Sequence, residues 1–389
     1  MHVTPQLLPL SASSEVSSSY SPLRIASLDP LDADRALRVL PSMNARADVR
    51  AIVKTLSYLI PSVERLSDLP VDEASAMMRD IGLFLGSLKR HGIEPVEVLP
   101  ELEPVLLMLG RRTDMIPRDT VFHYTEWNPA GVRRRTYTGE NQEIFLRDAT
   151  HMTLSHLADA VVLCRHLSDT ELDNEKTPEL LNTLAVTLDS FDTSIKLVMS
   201  KVSPQFFAEV LRPYFQEIQV GDQKYLGPAA SHVPLFLIDL ALWASDHSLD
   251  EYADFRQDST LYTLPQWRAL ALKWENSPSF LSRLNAALTV SRPGVSDQFQ
   301  ASLEAFGTVM RTLIRFRGKH LTFARMTYST DVCAYEAGSG GGTIDLLQQI
   351  LSLTRQNQSP VRDEVETGGG RLRYADSNTS VRGPESNAE

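Results

Sequence analysis

Residues 296–328 read SDQFQASLEAFGTVMRTLIRFRGKHLTFARMTY. Within them Phe299, Leu303, Phe306, Met310, Leu313, Arg317, His320, Ala324 and Tyr328 follow at steps of three and four. That is the period of one buried face of an α-helix, so the stretch predicts a single long helix. Its apolar seam carries an arginine and a histidine into what should be core. A buried charge is unfavourable unless paired, and a buried imidazole needs a partner at each nitrogen.

The plainer reading is a hydrogen-bonded core histidine, with Arg317 stretched along the helix to reach water. On pattern alone that is the commoner case. Two features weigh against it. Both polar residues lie on one seam, three apart, on adjacent turns. About 18 residues later comes Gly338-Ser339-Gly340-Gly341-Gly342, just before another apolar helical pattern. Heme chemistry suits the pair: iron takes the imidazole, and a propionate or buried acid takes the guanidinium.

Arg315-Phe316-Arg317-Gly318-Lys319-His320-Leu321, Tyr328, the glycine run and residues 346–354 resemble the end of the indoleamine 2,3-dioxygenase superfamily. Within that superfamily, residues 78–92, 101–107, 127–129, 137–139, 225–228 and 234–236 resemble the monodechloroaminopyrrolnitrin synthases. The matches run in order from about residue 24 to about residue 355. The resemblance implies an all-α, indoleamine 2,3-dioxygenase-like bundle holding heme b between helices, with dioxygen as co-substrate. It implies that His320 is the iron ligand and that Arg317 serves the propionate region. Asp239, in the middle of the apolar run 234–243, is implied as the partner of Arg317; a locally capped or partly exposed acid is the alternative. Gly227 and Ala230 belong to a stretch matching the family's distal heme face. Tyr137 and Phe145 are expected near that side, although turn chemistry alone explains Gly227-Pro228 as well. Tyr328 and Ser339, with Gly340 in the same loop, are implied as substrate-holding and catalytic residues.

The activity implied is oxidative rearrangement and decarboxylation of 7-chlorotryptophan, or tryptophan, to a phenylpyrrole. Three alternatives stay open: a dioxygenase giving N-formylkynurenine, a non-catalytic heme-based sensor, and a related enzyme with an altered substrate. The partner expected is a small molecule; the electron donor is not identified.

Composition narrows the classes. A net charge of -11 gives a nucleic-acid partner little electrostatic support. No apolar run reaches the ~20 residues of a membrane span. The first residues lack the basic and apolar blocks of a signal peptide. Cys164 and Cys333 are too few for a disulfide framework. A cytoplasmic protein with no membrane partner is the expectation.

The remaining motifs point away from other chemistries. His151 and His156 are five apart, not the i, i+4 spacing of a helical zinc pair. His91 follows Lys89 and Arg90 and precedes Gly92, an ordinary helix C-terminus. The other histidines sit without recognisable context. The glycine run lacks the Gly-Lys-Ser/Thr ending of a phosphate loop; it fits a flexible flap over a pocket. Thr343 or Asp345 is suited to cap the helix that follows.

Helical spacing recurs at 34–40, 49–59, 71–91, 146–166, 177–201, 205–215 and 233–244, punctuated by Pro and Gly. Residues 220–226 make at best a short strand. We expect a tail at 1–22, a smaller helical domain at 23–128 covering the distal side, a large heme-binding domain at 129–355, and a second tail at 356–389.

Overall fold

The computed structural model describes residues 20–290, 296–328 and 342–360. Among them there are sixteen α-helices and one antiparallel hairpin, Ile218–Val220 with Gln223–Tyr225. The fold is all-α.

The quoted stretch forms one helix, Asp297–Thr327. It starts where the Ser296 hydroxyl accepts from the Phe299 N–H at 3.2 Å, relieving one of the unpaired donors of the first turn. Phe299, Phe306, Met310 and Leu313 are buried on its seam. Fully burying a side chain of this kind contributes about 1.5–3 kcal/mol, so the apolar half of the seam anchors the helix. Asn141–Asp169 and Lys176–Lys201 pack side by side, and Asp297–Thr327 packs along the second of them. Ile344–Gln356 begins at Thr343, whose hydroxyl accepts from the Leu346 N–H at 3.0 Å, and packs back on the 297–327 helix.

Val71–Arg90 is the hub of the N-terminal part. It is buried continuously from Ala74 to Leu88. Two glycines one turn apart allow neighbours to approach it. A Cβ at Gly82 would lie 2.3 Å from the Asp119 Cγ. One at Gly86 would lie 2.6 Å from the Tyr137 hydroxyl and 2.7 Å from the Tyr214 carbonyl oxygen. The helix ends at His91 and Gly92, with Gly92 at φ +74 and Lys89 and Arg90 in the last turn.

Two apolar cores result. One gathers Phe191, Trp243, Phe306 and Met310 with the inner faces of the long helices. The other surrounds the 71–90 helix and reaches across to Ile195, Tyr214 and Phe323. The 176–201 and 297–327 helices contribute to both, which couples the N-terminal part to the rest.

Two expected helices are distorted. Residues 205–215 form a π-helical segment, Phe206–Leu211, then a 3₁₀ turn, Arg212–Phe215. Pro213, lacking an N–H, prevents regular α-helical bonding there. Residues 233–244 begin after Pro234 as one α-turn, Phe236–Asp239, and continue as a π-helical segment, Leu240–Ala244. Such segments recur at functional sites. The expected strand, 220–226, covers the end of the first arm, the turn and the second arm of the hairpin. Among the described residues no helix is long and apolar enough to cross a membrane.

Candidate functional site

The long helices do not close completely. They leave a cavity of about 250 Å³, measured at the centres of water-sized spheres. A single water needs only about 10–15 Å³ on that measure, and protein interiors hold few voids larger than one. Thr150, Ile195, Phe316 and Leu347 represent the four helices of its wall. The segment before Asp239 and the helix Asp250–Thr260 complete it. The lining is mostly apolar, and the hydroxyls of Thr150 and Thr153 are bonded to backbone carbonyls of their own helix. This is the character of a ligand pocket.

Arg317 enters this wall already clamped. It donates to the Asp239 carboxylate and to the Thr354 hydroxyl, and it is largely buried. Asp239 is fully buried; it also accepts from the Tyr252 hydroxyl and from the Trp243 indole N–H, the latter at 3.2 Å. The flanking cations of the same helix face elsewhere. Arg315 pairs with Asp189, and Lys319 with Asp192, on the neighbouring 176–201 helix. The run Arg315–His320 is thereby sorted: two cations dock helix to helix, and one cation and the imidazole line the cavity.

His320 stacks on Phe316 at 5.8 Å and lines the cavity. No hydrogen bond to its ring is found among the described residues. Burial pushes its pKa down to about 4, and the charge of Arg317 acts in the same direction. The ring is therefore neutral at pH 7, with a lone pair free to bind a metal.

Tyr328 lines the cavity beneath the Arg212 guanidinium, 5.7 Å from its ring centre. Ala230 and Gly342 also line it. Ser339 and Gly340 lie outside the described residues, as do Cys333 and the outer parts of both tails. Gly227 is not in the lining. A Cβ there would lie 2.7 Å from the Phe215 backbone, so it serves close packing. Tyr137 is fully buried in the N-terminal core, stacked on Tyr214 at 4.5 Å, and is not in the lining either. Phe145 packs at the edge of the same core, with the Lys201 ammonium 5.9 Å above its ring. The described lining begins at Leu146, so no residue of 23–128 belongs to it.

The structure also places side chains that sequence spacing did not single out. His232 lines the cavity from a short turn with no helical period to flag it. Tyr252, Phe255 and Ser259 line it from the 250–260 helix, whose weak apolar pattern hides it. Away from the cavity, Arg79 and Asp80 form a buried pair at 2.7 Å, and Arg79 donates to the Ile25 and Leu28 carbonyls. Arg135 joins Asp80 at 3.2 Å and also pairs with Asp34. This network fastens the first helix and residues 127–135 to the 71–90 hub.

An α-helical bundle with a mostly apolar cavity, two imidazoles and one clamped guanidinium on its wall is the form of a protein that takes a small ligand among its helices. Comparison with known families gives the class more closely. The model of the family described as monodechloroaminopyrrolnitrin synthase PrnB matches residues 24–377, nearly the whole chain. The chain belongs to that family.

Proposed function

We propose that this chain holds heme b in the cavity through His320 and there converts 7-chlorotryptophan, or tryptophan, to a phenylpyrrole. The observation that carries the reading is the pairing on one helix face of a neutral imidazole, without a hydrogen bond among the described residues, with an arginine held by a buried acid. Both lie on a cavity too large and too apolar to be a packing defect. A heme fits this donor set: an imidazole for the iron, a guanidinium for a propionate, and apolar walls for the macrocycle.

Bound there, the heme supplies the redox chemistry with dioxygen. The residues of the chain do the rest. Asp239 and Thr354 hold Arg317 in one position, so the cation is preorganised toward an anionic group. Apolar walls exclude water and strengthen each polar contact inside. Tyr328, with Ser339, orients the amino-acid end of the substrate. Going from 7-chlorotryptophan to the phenylpyrrole removes carbon dioxide and two hydrogens. The indole must open and the side-chain nitrogen must enter the new ring, so holding that nitrogen in place selects the product. The N-terminal part, residues 23–128, acts as a buttress behind the cavity walls.

The test is anaerobic reconstitution of the full chain with ferrous heme. Tryptophan and 7-chlorotryptophan are titrated separately, oxygen is admitted, and products are identified by mass. The phenylpyrrole mass supports the proposal. N-formylkynurenine alone would make the chain a ring-cleaving dioxygenase. His320→Ala should lose the heme absorbance band; a native band in that variant would remove His320 as the ligand.

A further inference from the structure

His232 is a second imidazole on the cavity wall. It ends the short turn Ala230–His232 and is only 4% exposed, yet it borders the cavity. Its ring stacks on Tyr262 with centres 4.4 Å apart and planes 12° from parallel. Tyr262 is itself pinned, because its hydroxyl oxygen accepts from the Leu226 N–H at 3.0 Å. The imidazole plane is thus set by packing rather than by polar contacts.

Neither nitrogen of His232 has a hydrogen-bond partner among the described residues. His320 shares this among the described residues, whereas three other histidines do not. His123 accepts from the Thr120 N–H at 3.0 Å, His156 meets the Met152 carbonyl at 2.8 Å, and His247 meets Ser282 at 2.8 Å. A buried polar group without a partner is unfavourable, and such groups mark places where a ligand or water completes the set. Burial lowers the His232 pKa to about 4, and the Arg118 charge adds to this. The Gly227 backbone acts in the opposite direction and is outweighed by burial. A neutral ring keeps one N–H and one lone pair. Either can meet a polar group of a molecule held in the cavity.

We propose that His232 is a substrate contact whose free nitrogen accepts a hydrogen bond from an N–H of the bound tryptophan-type molecule. The inference rests on the reading of the cavity as a heme and tryptophan site. It adds a polar contact apart from Tyr328 and Ser339. The donor is the indole N–H or the α-ammonium; both offer the same chemistry to a neutral imidazole in an apolar wall. Such a contact fixes which edge of the substrate faces the reacting centre.

The test uses the full chain loaded with ferric heme, with binding measured by calorimetry and the heme band and thermal midpoint recorded for each variant. His232→Leu should weaken tryptophan binding by about threefold to tenfold with the heme band unchanged. His232→Gln, which restores an acceptor, should recover part of the loss. If the donor is the indole N–H, His232→Leu should bind tryptophan and 1-methyltryptophan alike, whereas the parent chain prefers tryptophan. If it is the ammonium, indole-3-propionate should be the ligand that does not sense the change. Parent-like affinity of His232→Leu for every ligand would overturn the proposal and leave the heme reading intact. Equal weakening of every ligand with no recovery by Gln would overturn it as well. Loss of the heme band in His232→Leu, with the band kept in His320→Ala, would overturn both, because His232 would then be the iron ligand.

Discussion

Replacing Asp239 with leucine strips the arginine clamp of its anion. The carboxylate is fully buried and accepts from Arg317, the Tyr252 hydroxyl and the Trp243 indole N–H. Removing one partner of a buried ion pair typically costs about 3–5 kcal/mol, because the other charge stays buried. Tyr252 and Trp243 also lose their acceptor, at about 1–3 kcal/mol for each buried orphan. These terms overlap at one site and do not add, so we expect a loss of about 5 kcal/mol. Whole-domain stabilities are of order 5–15 kcal/mol, so the variant should be close to unfolding. Arg317→Met should cost about 3 kcal/mol, since Asp239 keeps its two neutral donors. The double variant removes both charges and should be less damaged than the sum by roughly 2 kcal/mol. Urea unfolding of the full chain followed by circular dichroism measures all three, with heme retention as a parallel readout. Additivity within about 0.5 kcal/mol would show that the two residues do not act as a pair.

Gly86→Ala should destabilise the N-terminal part by about 1–3 kcal/mol, since its Cβ meets a backbone carbonyl that cannot swing away; urea midpoints check this. Tyr328→Phe and Ser339→Ala should each weaken substrate binding roughly tenfold or more while heme content holds; titration of the heme-loaded variants decides. The heme-free chain should lose stability as pH falls from 7 to 5. His123, His232 and His320 have folded pKa values lowered to about 3, about 4 and about 4, so below pH 6.5 the unfolded chain takes up protons that the folded chain refuses. His151, raised by Glu126, acts in the opposite sense but is half exposed and screened. A urea midpoint that does not move over this range would contradict the burial of His123 and His232.

Local periodicity carried the helical reading a long way. The steps of three and four in residues 296–328, the capping Ser296 and Thr343, and the Gly92 stop depend on neighbours along the chain, so they are visible without a structure. For the same reason the seam showed that Arg317 and His320 face inward together. Where the helices distort, at 205–215 and 233–244, periodicity alone could not say which π or 3₁₀ turn results. Helices 102–113, 250–260, 265–275 and 280–290 are not among the expected ones; for 250–260 the reason is a polar composition that gives little amphipathic signal.

The sequence by itself determined the all-α class, the long inward-facing helix and, through its motifs, the family. Only the tertiary structure decided what meets across the cavity. Asp239 lies 78 positions from Arg317, and nothing in the spacing shows that Thr354, Tyr252 and Trp243 complete their network. His232 stood without context because its place is a relation between distant parts: a turn that leaves both its nitrogens without a partner among the described residues, a tyrosine that holds its plane, and a cavity walled by several helices. Gly227 and Tyr137, read from resemblance as near the distal face, are close-packed beside Phe215 and Tyr214 and do not belong to the described lining. A motif fixes residue type and order along the chain, but the direction a side chain takes is set by which neighbours the packed interior brings to it.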